Sequence, residues 1–261
     1  MTTYPVRVRG RFDPALNRWL WLVKWLLALP HYVVLALLWA AFGVVGLAAF
    51  VSILVTGRYP RPLFDFALGV LRWTWRVAYY SFGALATDRY PPFSLGEEPD
   101  YPATLDIAYP ERLSRGLVLV KWLLAIPHLV IVGAFLGGGG YLAARAGEWA
   151  LSPAGGLVGL LVLIAGVVLL VTGRYPRGVF DFVLGMDRWA LRVAAYVGLM
   201  TDAYPPLRLD SGGDEPANAT LDTPPPTRPG RTANRVVPAV LGVLLLLTGA
   251  GVSAAGALAL W

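Results

Sequence analysis

Cysteine is absent from the 261 residues, and histidine occurs only twice. The first absence excludes disulfide frameworks, thiolate metal sites and cysteine nucleophiles, and two histidines are too few for a polyhistidine metal site. Charge is scarce as well, because Asp, Glu, Lys and Arg make up 15% of the chain whereas soluble proteins carry about 25%. No Ser-His-Asp set, HExxH motif or dinucleotide fingerprint is present. We therefore expect no catalytic residues, no cofactor and no metal.

Apolar residues are abundant, at 57% of the chain, and the mean hydropathy is +0.59. Four long runs carry no Asp, Glu, Lys or Arg: 25–57, 122–144, 149–173 and 236–261. A helix needs about 20 apolar residues to cross the hydrocarbon core of a bilayer. These runs predict an integral membrane protein, and the last one predicts a single spanning helix.

Two copies of one pattern follow each other along the chain. The matching segments are KWLLALPH at 24–31 and KWLLAIPH at 121–128, TGRYPR at 56–61 and again at 172–177, and TDRYPP at 87–92 and TDAYPP at 201–206. The predicted organisation is a first membrane repeat over 1–100, a second over 101–222, a proline-rich linker over 223–235 and a C-terminal transmembrane helix over 236–261.

The second copy is longer than the first between these motifs. The offset between copies is 97 residues at the KWLLA motif and 116 at the TGRYP motif. Because insertions are tolerated where a chain turns in solvent, we predict a turn between His31 and Thr56, so that 25–57 forms a hairpin of two short helices. A hairpin also leaves the basic segments of both copies on the cytoplasmic side, as the positive-inside rule prefers. A single crossing of this run is the alternative, and between three and five crossings remain open.

The predicted fold is an all-α integral membrane protein with minor β structure. Each repeat holds a short strand (within 4–12 or 101–109), a membrane helical hairpin and an interfacial amphipathic helix. The ordered motifs KWLLAxPH, TGRYPR-x2-FDF, RWxxR and TDRYPP resemble the bacterial membrane family described as domain of unknown function 4389, over roughly 1–222. The resemblance implies an integral membrane location and supplies no activity. Together with the four apolar runs it leads us to expect a multi-pass protein of the bacterial cell membrane.

One narrow polar stripe marks the amphipathic helix predicted from Pro62 to about Phe82. Asp65, Arg72 and Arg76 fall near one line at 100° per residue. We favour a structural role in which Asp65 pairs with Arg72 or Arg76, and the alternative is an anion or lipid-headgroup site. The corresponding residues of the second copy are Asp181, Arg188 and Arg192.

Four further polar residues lie within or beside the apolar runs, at equivalent places in both copies. Lys24 and Lys121 are functional candidates at membrane depth, although we favour side chains that extend to the membrane interface. His31 and His128 could each hold a ligand or a proton, and we favour hydrogen-bonded structural histidines.

A compact basic cluster, Arg58, Tyr59 and Arg61, follows the apolar run of the first copy. Arginine suits bidentate contacts to phosphate, and tyrosine suits the headgroup level. The cluster is therefore a candidate site for an anionic phospholipid headgroup, with ordinary positive-inside anchoring as the alternative. Its counterparts in the second copy are Arg174, Tyr175 and Arg177.

These features predict a non-enzymatic membrane protein that interacts with lipid or acts as a scaffold. The alternative is a small transporter or channel with a site between the two repeats, because transporters often contain internal repeats. Expected partners are membrane lipids, anionic phospholipid in particular, together with a second copy of the chain or other membrane proteins. Nucleic acid is not expected, since the basic residues are spread along the membrane edges.

Overall fold

The computed structural model describes residues 4–136, 156–207 and 209–210. The described elements are β1 (Val6–Gly10), α1 (Trp21–Thr56), α2 (Arg61–Tyr80), β2 (Ala103–Ile107), α3 (Arg115–Leu136), α4 (Gly156–Thr172) and α5 (Arg177–Val197). The mostly helical class with minor β structure is confirmed. The predicted linker at 223–235 and the C-terminal helix at 236–261 lie outside the described residues.

Helix α1 is continuous over 36 residues, so the predicted hairpin of the first copy is wrong. A hairpin needs polar turn residues, and the run between Trp25 and Thr56 offers no charged residue, while Gly43 and Gly46 are the residues closest to a turn signal. Pro30 is accommodated inside the helix. In the second copy α3 and α4 are separate helices, and the residues between them lie outside the described part of the chain.

The repeated Gly-Arg-Tyr-Pro sequence ends both α1 and α4. Gly57 adopts the left-handed conformation with φ of +71°, and its N–H donates to the Ile53 carbonyl at 2.8 Å. Gly173 does the same with φ of +69° and a bond to the Leu169 carbonyl at 2.8 Å. Glycine is the residue that adopts this conformation without steric cost. The proline three residues later then precedes the next helix.

Helix α2 runs back along α1 in the opposite direction. Tyr32 of α1 bonds to Ser81, whereas Trp39, two turns later on α1, bonds to Thr74, which lies two turns earlier on α2. Twelve of the 20 residues of α2 are buried. Other parts of the chain therefore cover the apolar face of α2, and the interfacial position expected for this helix stays a prediction. The corresponding helix α5 is buried along most of its length too.

The two strands pair with each other in antiparallel register. Both lie inside the segments where the sequence predicted strands. Val8 faces Leu105, and these two residues are counterparts in the two copies because they are 97 positions apart. Apolar side chains of both strands point to the buried side, and Arg7 and Asp106 point outward. The sheet therefore joins the two copies across matching positions.

Helices α1 and α3 are each long and apolar enough to cross a membrane, and α4 is a shorter apolar helix. Only a narrow stripe of α1 is buried, in two stretches with intervals of three or four residues, one before and one after the middle of the helix. Its members are Trp21, Lys24, Ala28, His31, Leu35, Ala49 and Ile53. The rest of the helix surface is largely exposed and apolar.

Candidate functional site

Lys24 points into the protein rather than toward the membrane interface. Its side chain is 2% exposed, and its Nζ lies 2.7 Å from the Asp88 carboxylate and 2.8 Å from the Thr87 carbonyl. Asp88 also accepts a hydrogen bond from the Asn17 backbone N–H at 2.6 Å. The expected extension of Lys24 to the interface is wrong, because a carboxylate inside the fold satisfies its charge.

Lys121 repeats this arrangement in the second copy. Its Nζ lies 2.7 Å from Asp202 and 2.8 Å from the Thr201 carbonyl, and Asp202 accepts the Ser114 backbone N–H at 2.7 Å. Sequence reasoning missed both aspartates. The signal was available, since each belongs to a Thr-Asp pair that recurs 114 residues apart with the rest of its motif.

Each histidine accepts a hydrogen bond from a tryptophan of the neighbouring helix. Trp73 Nε1 donates to His31 Nδ1 at 3.1 Å, and Trp189 Nε1 donates to His128 Nδ1 at 3.0 Å. Both imidazoles are fully buried, and His31 stacks on Phe93 at 4.0 Å between ring centroids. Within the described ranges, no group of three or more His, Cys, Asp or Glu is placed to hold a metal.

The polar stripe of α2 binds backbone carbonyls beyond its own helix. Arg72 Nε donates to the Leu105 carbonyl at 2.9 Å, and its Nη2 lies 3.5 Å from the Asp106 carboxylate. Arg76 donates to two carbonyls of the 94–96 segment. The two arginines therefore fasten the strand and the following segment to the helix.

Of the corresponding arginines of α5, Arg188 binds the other copy and Arg192 binds its own. Arg188 Nε donates to the Val8 carbonyl at 3.1 Å, and Arg192 Nη1 lies 2.6 Å from the Asp210 carboxylate. Val8 and Leu105 are counterparts, so the helix of each copy binds the strand of the other. This crosswise fastening was not predicted, because hydrogen bonds to backbone carbonyls leave no pattern in the sequence.

The expected pairing of Asp65 with Arg72 or Arg76 is wrong. The Asp65 carboxylate lies 3.5 Å from Arg61 Nε, and both side chains are more than half exposed. A shared helical line brings residues onto one face, but Asp65 and Arg72 remain about 10 Å apart along the axis at 1.5 Å per residue. The counterpart Asp181 is partly buried on α5.

The tyrosines of the predicted headgroup cluster lie inside the protein. Tyr59 is 1% exposed, and burial raises its pKa to about 12. Tyr175 is buried as well, and its hydroxyl donates to the Ala84 carbonyl at 2.8 Å. Arg61 lies with its guanidinium carbon 4.5 Å from the centroid of the Tyr109 ring. Of the first predicted cluster, Arg58 is the exposed cation that has no ion-pair partner among the residues that the structure describes.

Arg58 instead belongs to a cavity of about 540 Å³ at the end of α1. The Leu113 N–H donates to the Gly57 carbonyl at 2.8 Å, which holds the start of α3 against the end of α1. This contact brings Arg112 and Arg115 beside Arg58. The residues that line the cavity are Thr56, Gly57, Arg58, Arg112, Leu113 and Arg115.

The end of α4 carries a related but smaller cluster. Arg174 follows Gly173 there, and the Arg18 guanidinium lies 3.8 Å from the position that a Cβ on Gly173 would take. Arg18 is the counterpart of Arg115, whereas Ala15 stands where the other end has Arg112. Arg177 begins α5 and is exposed.

A buried carboxyl on α5 has no equivalent in the first copy. Asp187 is 7% exposed, and its Oδ2 has no hydrogen-bond partner among the described residues. Burial raises the pKa of Asp187 well above the usual range of a carboxyl. The corresponding residue of α2 is Leu71, which is fully buried. Sequence reasoning missed Asp187 because no repeated motif includes it.

Comparison with known proteins identifies a family. The model of a family described as "Domain of unknown function (DUF4389)" matches residues 18–94 and 149–207, which together make just over half of the chain. No curated protein and no solved structure matches. The matched segments contain the KWLLA motif of the first copy and the TGRYPR motifs of both.

Proposed function

Because the chain belongs to the DUF4389 family, whose description names no activity, we propose a function from the geometry of the chain itself. The chain is a non-enzymatic protein of the bacterial cell membrane. Its helices α1, α3 and α4 lie along one leaflet in contact with lipid, and its role is to bind membrane lipid there. The position of exposed carboxylates beside the middle of α1 carries this proposal.

The first support is an apolar face that follows the whole of α1. The most exposed side chains lie opposite the buried stripe, each more than half exposed: Val33, Leu37, Val44, Leu47, Val51 and Val55. Leu119, Leu123 and Val130 of α3 are also more than half exposed. Soluble proteins rarely expose contiguous apolar surface of this extent, and such surfaces mark contact with a membrane or a partner.

The second support is the position, along the length of α1, at which exposed charged side chains occur. Trp39, at the middle of α1, donates to Thr74 at 3.1 Å, and Arg72 lies half a turn away on α2. The partners of Arg72 are Asp106 and Glu97, whose side chains are 65% and 67% exposed. If α1 stood upright across the bilayer, these carboxylates would lie near its centre, where each charge costs about 3 kcal/mol. A helix parallel to the membrane places them above it, in water.

The third support is the charge at the two ends of α1. Arg18 precedes its first turn, and Arg58, Arg112 and Arg115 surround its last turn. The helix is about 54 Å long, whereas the hydrocarbon core is about 30 Å thick. A parallel helix puts both basic ends at the same headgroup layer, as the positive-inside rule prefers. The basic segments then share one side without a hairpin.

The absence of an enzymatic role is supported by how the repeated ionisable residues are used. Lys24 and Lys121 are bound to carboxylates, and the arginines of α2 and α5 are bound to carbonyls or carboxylates. These contacts hold the helices against the strands and loops that pack on them. In the described residues they leave none of these side chains free to act on a substrate.

A labelling experiment tests the proposal in membrane vesicles of both orientations. The chain has no cysteine, so Glu97→Cys and Leu37→Cys each introduce a single thiol for a membrane-impermeant maleimide. Glu97→Cys should react from the cytoplasmic side only, and Leu37→Cys should react from neither side until detergent is added. An unreactive Glu97→Cys would show that α1 stands upright, and a reactive Leu37→Cys would show that α1 does not contact lipid.

A further inference from the structure

We infer that the cavity formed by Arg58, Arg112 and Arg115 binds the headgroup of a lipid that carries a phosphomonoester. The inference rests on the proposed membrane location and adds the ligand class. It differs from the site expected from the sequence, because Tyr59 and Arg61 have other partners and two arginines from the start of α3 replace them.

The charge of the cavity favours an anion. Within the described residues none of the three guanidinium groups lies within ion-pair distance of a carboxylate, whereas Arg61 and Arg72 do. A cation near the C-terminus of α1 interacts favourably with the helix dipole, and this accounts for one basic residue. The bond between Leu113 and Gly57 keeps three like charges around one cavity, and a bound anion would offset their mutual repulsion.

The chemistry of arginine favours phosphate. A guanidinium presents a planar fork of donors that matches two phosphate oxygens at once. A phosphodiester has two unesterified oxygens, whereas a phosphomonoester has three and carries a charge between −1.5 and −2 near neutral pH when its second pKa is about 6. Three arginines therefore match a monoester better than a diester.

The surroundings of the cavity favour a lipid over a soluble phosphate. Val55 lies one turn before Arg58, and Leu119 lies one turn after Arg115; their side chains are 68% and 59% exposed. A lipid whose headgroup lies in the cavity could therefore place its acyl chains on the apolar surface of α1 and α3 directly beside it. Burial of the acyl chains against this surface would add to the affinity for a lipid over a soluble phosphate.

The other end of the molecule supplies an internal reference. At that end, Arg174 and Arg18 are the counterparts of Arg58 and Arg115. Ala15 stands in place of Arg112. We therefore expect this end to retain phosphomonoester lipid less strongly. Adding the missing side chain as Ala15→Arg should create a second site.

The test uses the full chain in mild detergent and measures retained lipid by native mass spectrometry. The probes are a phosphatidic acid and, at equal concentration, a phosphatidylglycerol with the same acyl chains. We expect phosphatidic acid to be retained preferentially. Arg112→Ala should lower its retention about tenfold, Arg112→Lys should lower it by a smaller factor because charge without the fork remains, and Ala15→Arg should raise the stoichiometry. The charge-matched control is Arg7→Ala, on the exposed face of β1.

Several results would overturn the inference. These are equal retention of the two lipids, an equal loss in Arg112→Ala and Arg7→Ala, and no loss in Arg112→Ala. A further arm adds inorganic phosphate to the protein together with the phosphatidic acid. If phosphate competes with the lipid at equal concentration, the site recognises soluble phosphate and the lipid assignment is wrong. Because this assay contains no bilayer, its failure leaves the labelling result of the proposed function unaffected, and the two failures are distinguishable.

Discussion

At the scale of single residues, the buried lysines are the most demanding feature of the molecule. A charge taken out of water is tolerated only with a well-placed partner. Lys24 has both a carboxylate and a carbonyl within 2.8 Å, and Asp88 is itself 21% exposed. Lys121 and Asp202 form the same pair in the second copy. The repetition indicates that the buried lysine and the aspartate of the Thr-Asp motif belong to the structure of each repeat.

The first prediction concerns this pair. Lys24→Met should destabilise the detergent-solubilised protein by about 3 kcal/mol, because it leaves the Asp88 carboxylate without its cation. Lys24→Met combined with Asp88→Asn should cost less than the sum of the single changes. Urea unfolding followed by tryptophan fluorescence measures both. Additive costs would show that the two residues do not interact.

A matched control is the exposed pair of Arg61 and Asp65. Both side chains are more than half exposed, and exposed ion pairs contribute about 0 to 1 kcal/mol. Asp65→Asn should therefore change the free energy of unfolding by less than 1 kcal/mol. A cost comparable to that of Lys24→Met would mean that Asp65 has the structural role first expected from the sequence.

The second prediction concerns pH and Asp187. Since burial raises the pKa of this carboxyl in the folded state, the folded protein keeps a proton that the unfolded chain loses above about pH 4. The free energy of unfolding should fall as pH rises from there, by up to about 1.4 kcal/mol per pH unit, until the folded-state pKa is passed. Asp187→Leu, which copies Leu71 of the first copy, should remove this dependence. Parallel pH curves for the two proteins would contradict the account.

At the scale of elements, α2 packs so closely against the segment after it that its glycine has no room for a side chain. A Cβ on Gly69 would lie 2.8 Å from the carbonyl oxygen of Leu95, a backbone atom that cannot turn aside. The same construction on Gly43 of α1 meets nothing within 4 Å. The two glycines are alike in the sequence and opposite in their surroundings.

The third prediction follows from this contrast. Gly69→Ala should destabilise the protein by about 1 to 3 kcal/mol through overpacking. Gly43→Ala should be neutral or stabilising by up to about 1 kcal/mol, because alanine has the higher helix propensity. Urea unfolding of the two variants in detergent measures both changes in the free energy of unfolding. A neutral Gly69→Ala would mean that the 94–96 segment does not rest on α2.

The elements also show what the sequence can and cannot specify. Apolar length and the repeated Gly-Arg-Tyr-Pro sequence located the ends of α1 and α4, and alternation located the strands. The turn predicted within α1 is wrong because an insertion in the second copy does not require a turn at the same place in the first. Asp65 was misassigned because helical periodicity reports a shared face and not a distance. The cavity was missed because Arg112 belongs to no repeated motif and only tertiary contact brings it to Arg58.

At the scale of the whole molecule, the two copies are fastened crosswise. Arg72 bonds to the strand of the second copy and Arg188 to the strand of the first, while Val8 and Leu105 face each other in the sheet.

The fourth prediction is therefore that Arg188→Met raises amide hydrogen exchange in β1 of the other copy. Faster exchange confined to α5, with β1 unchanged, would contradict the crosswise account.

The central claim is that α1 lies along one leaflet, and the depth of its exposed face tests that claim most directly. Spin labels on Val23→Cys, Leu37→Cys and Val55→Cys, at the start, middle and end of α1, can be compared by their accessibility to oxygen and to a water-soluble nickel complex in reconstituted bilayers. The account predicts similar depths for all three labels. A label at the middle that lies deep in the hydrocarbon, with both ends in opposite headgroup layers, would show that α1 crosses the membrane and contradict the account.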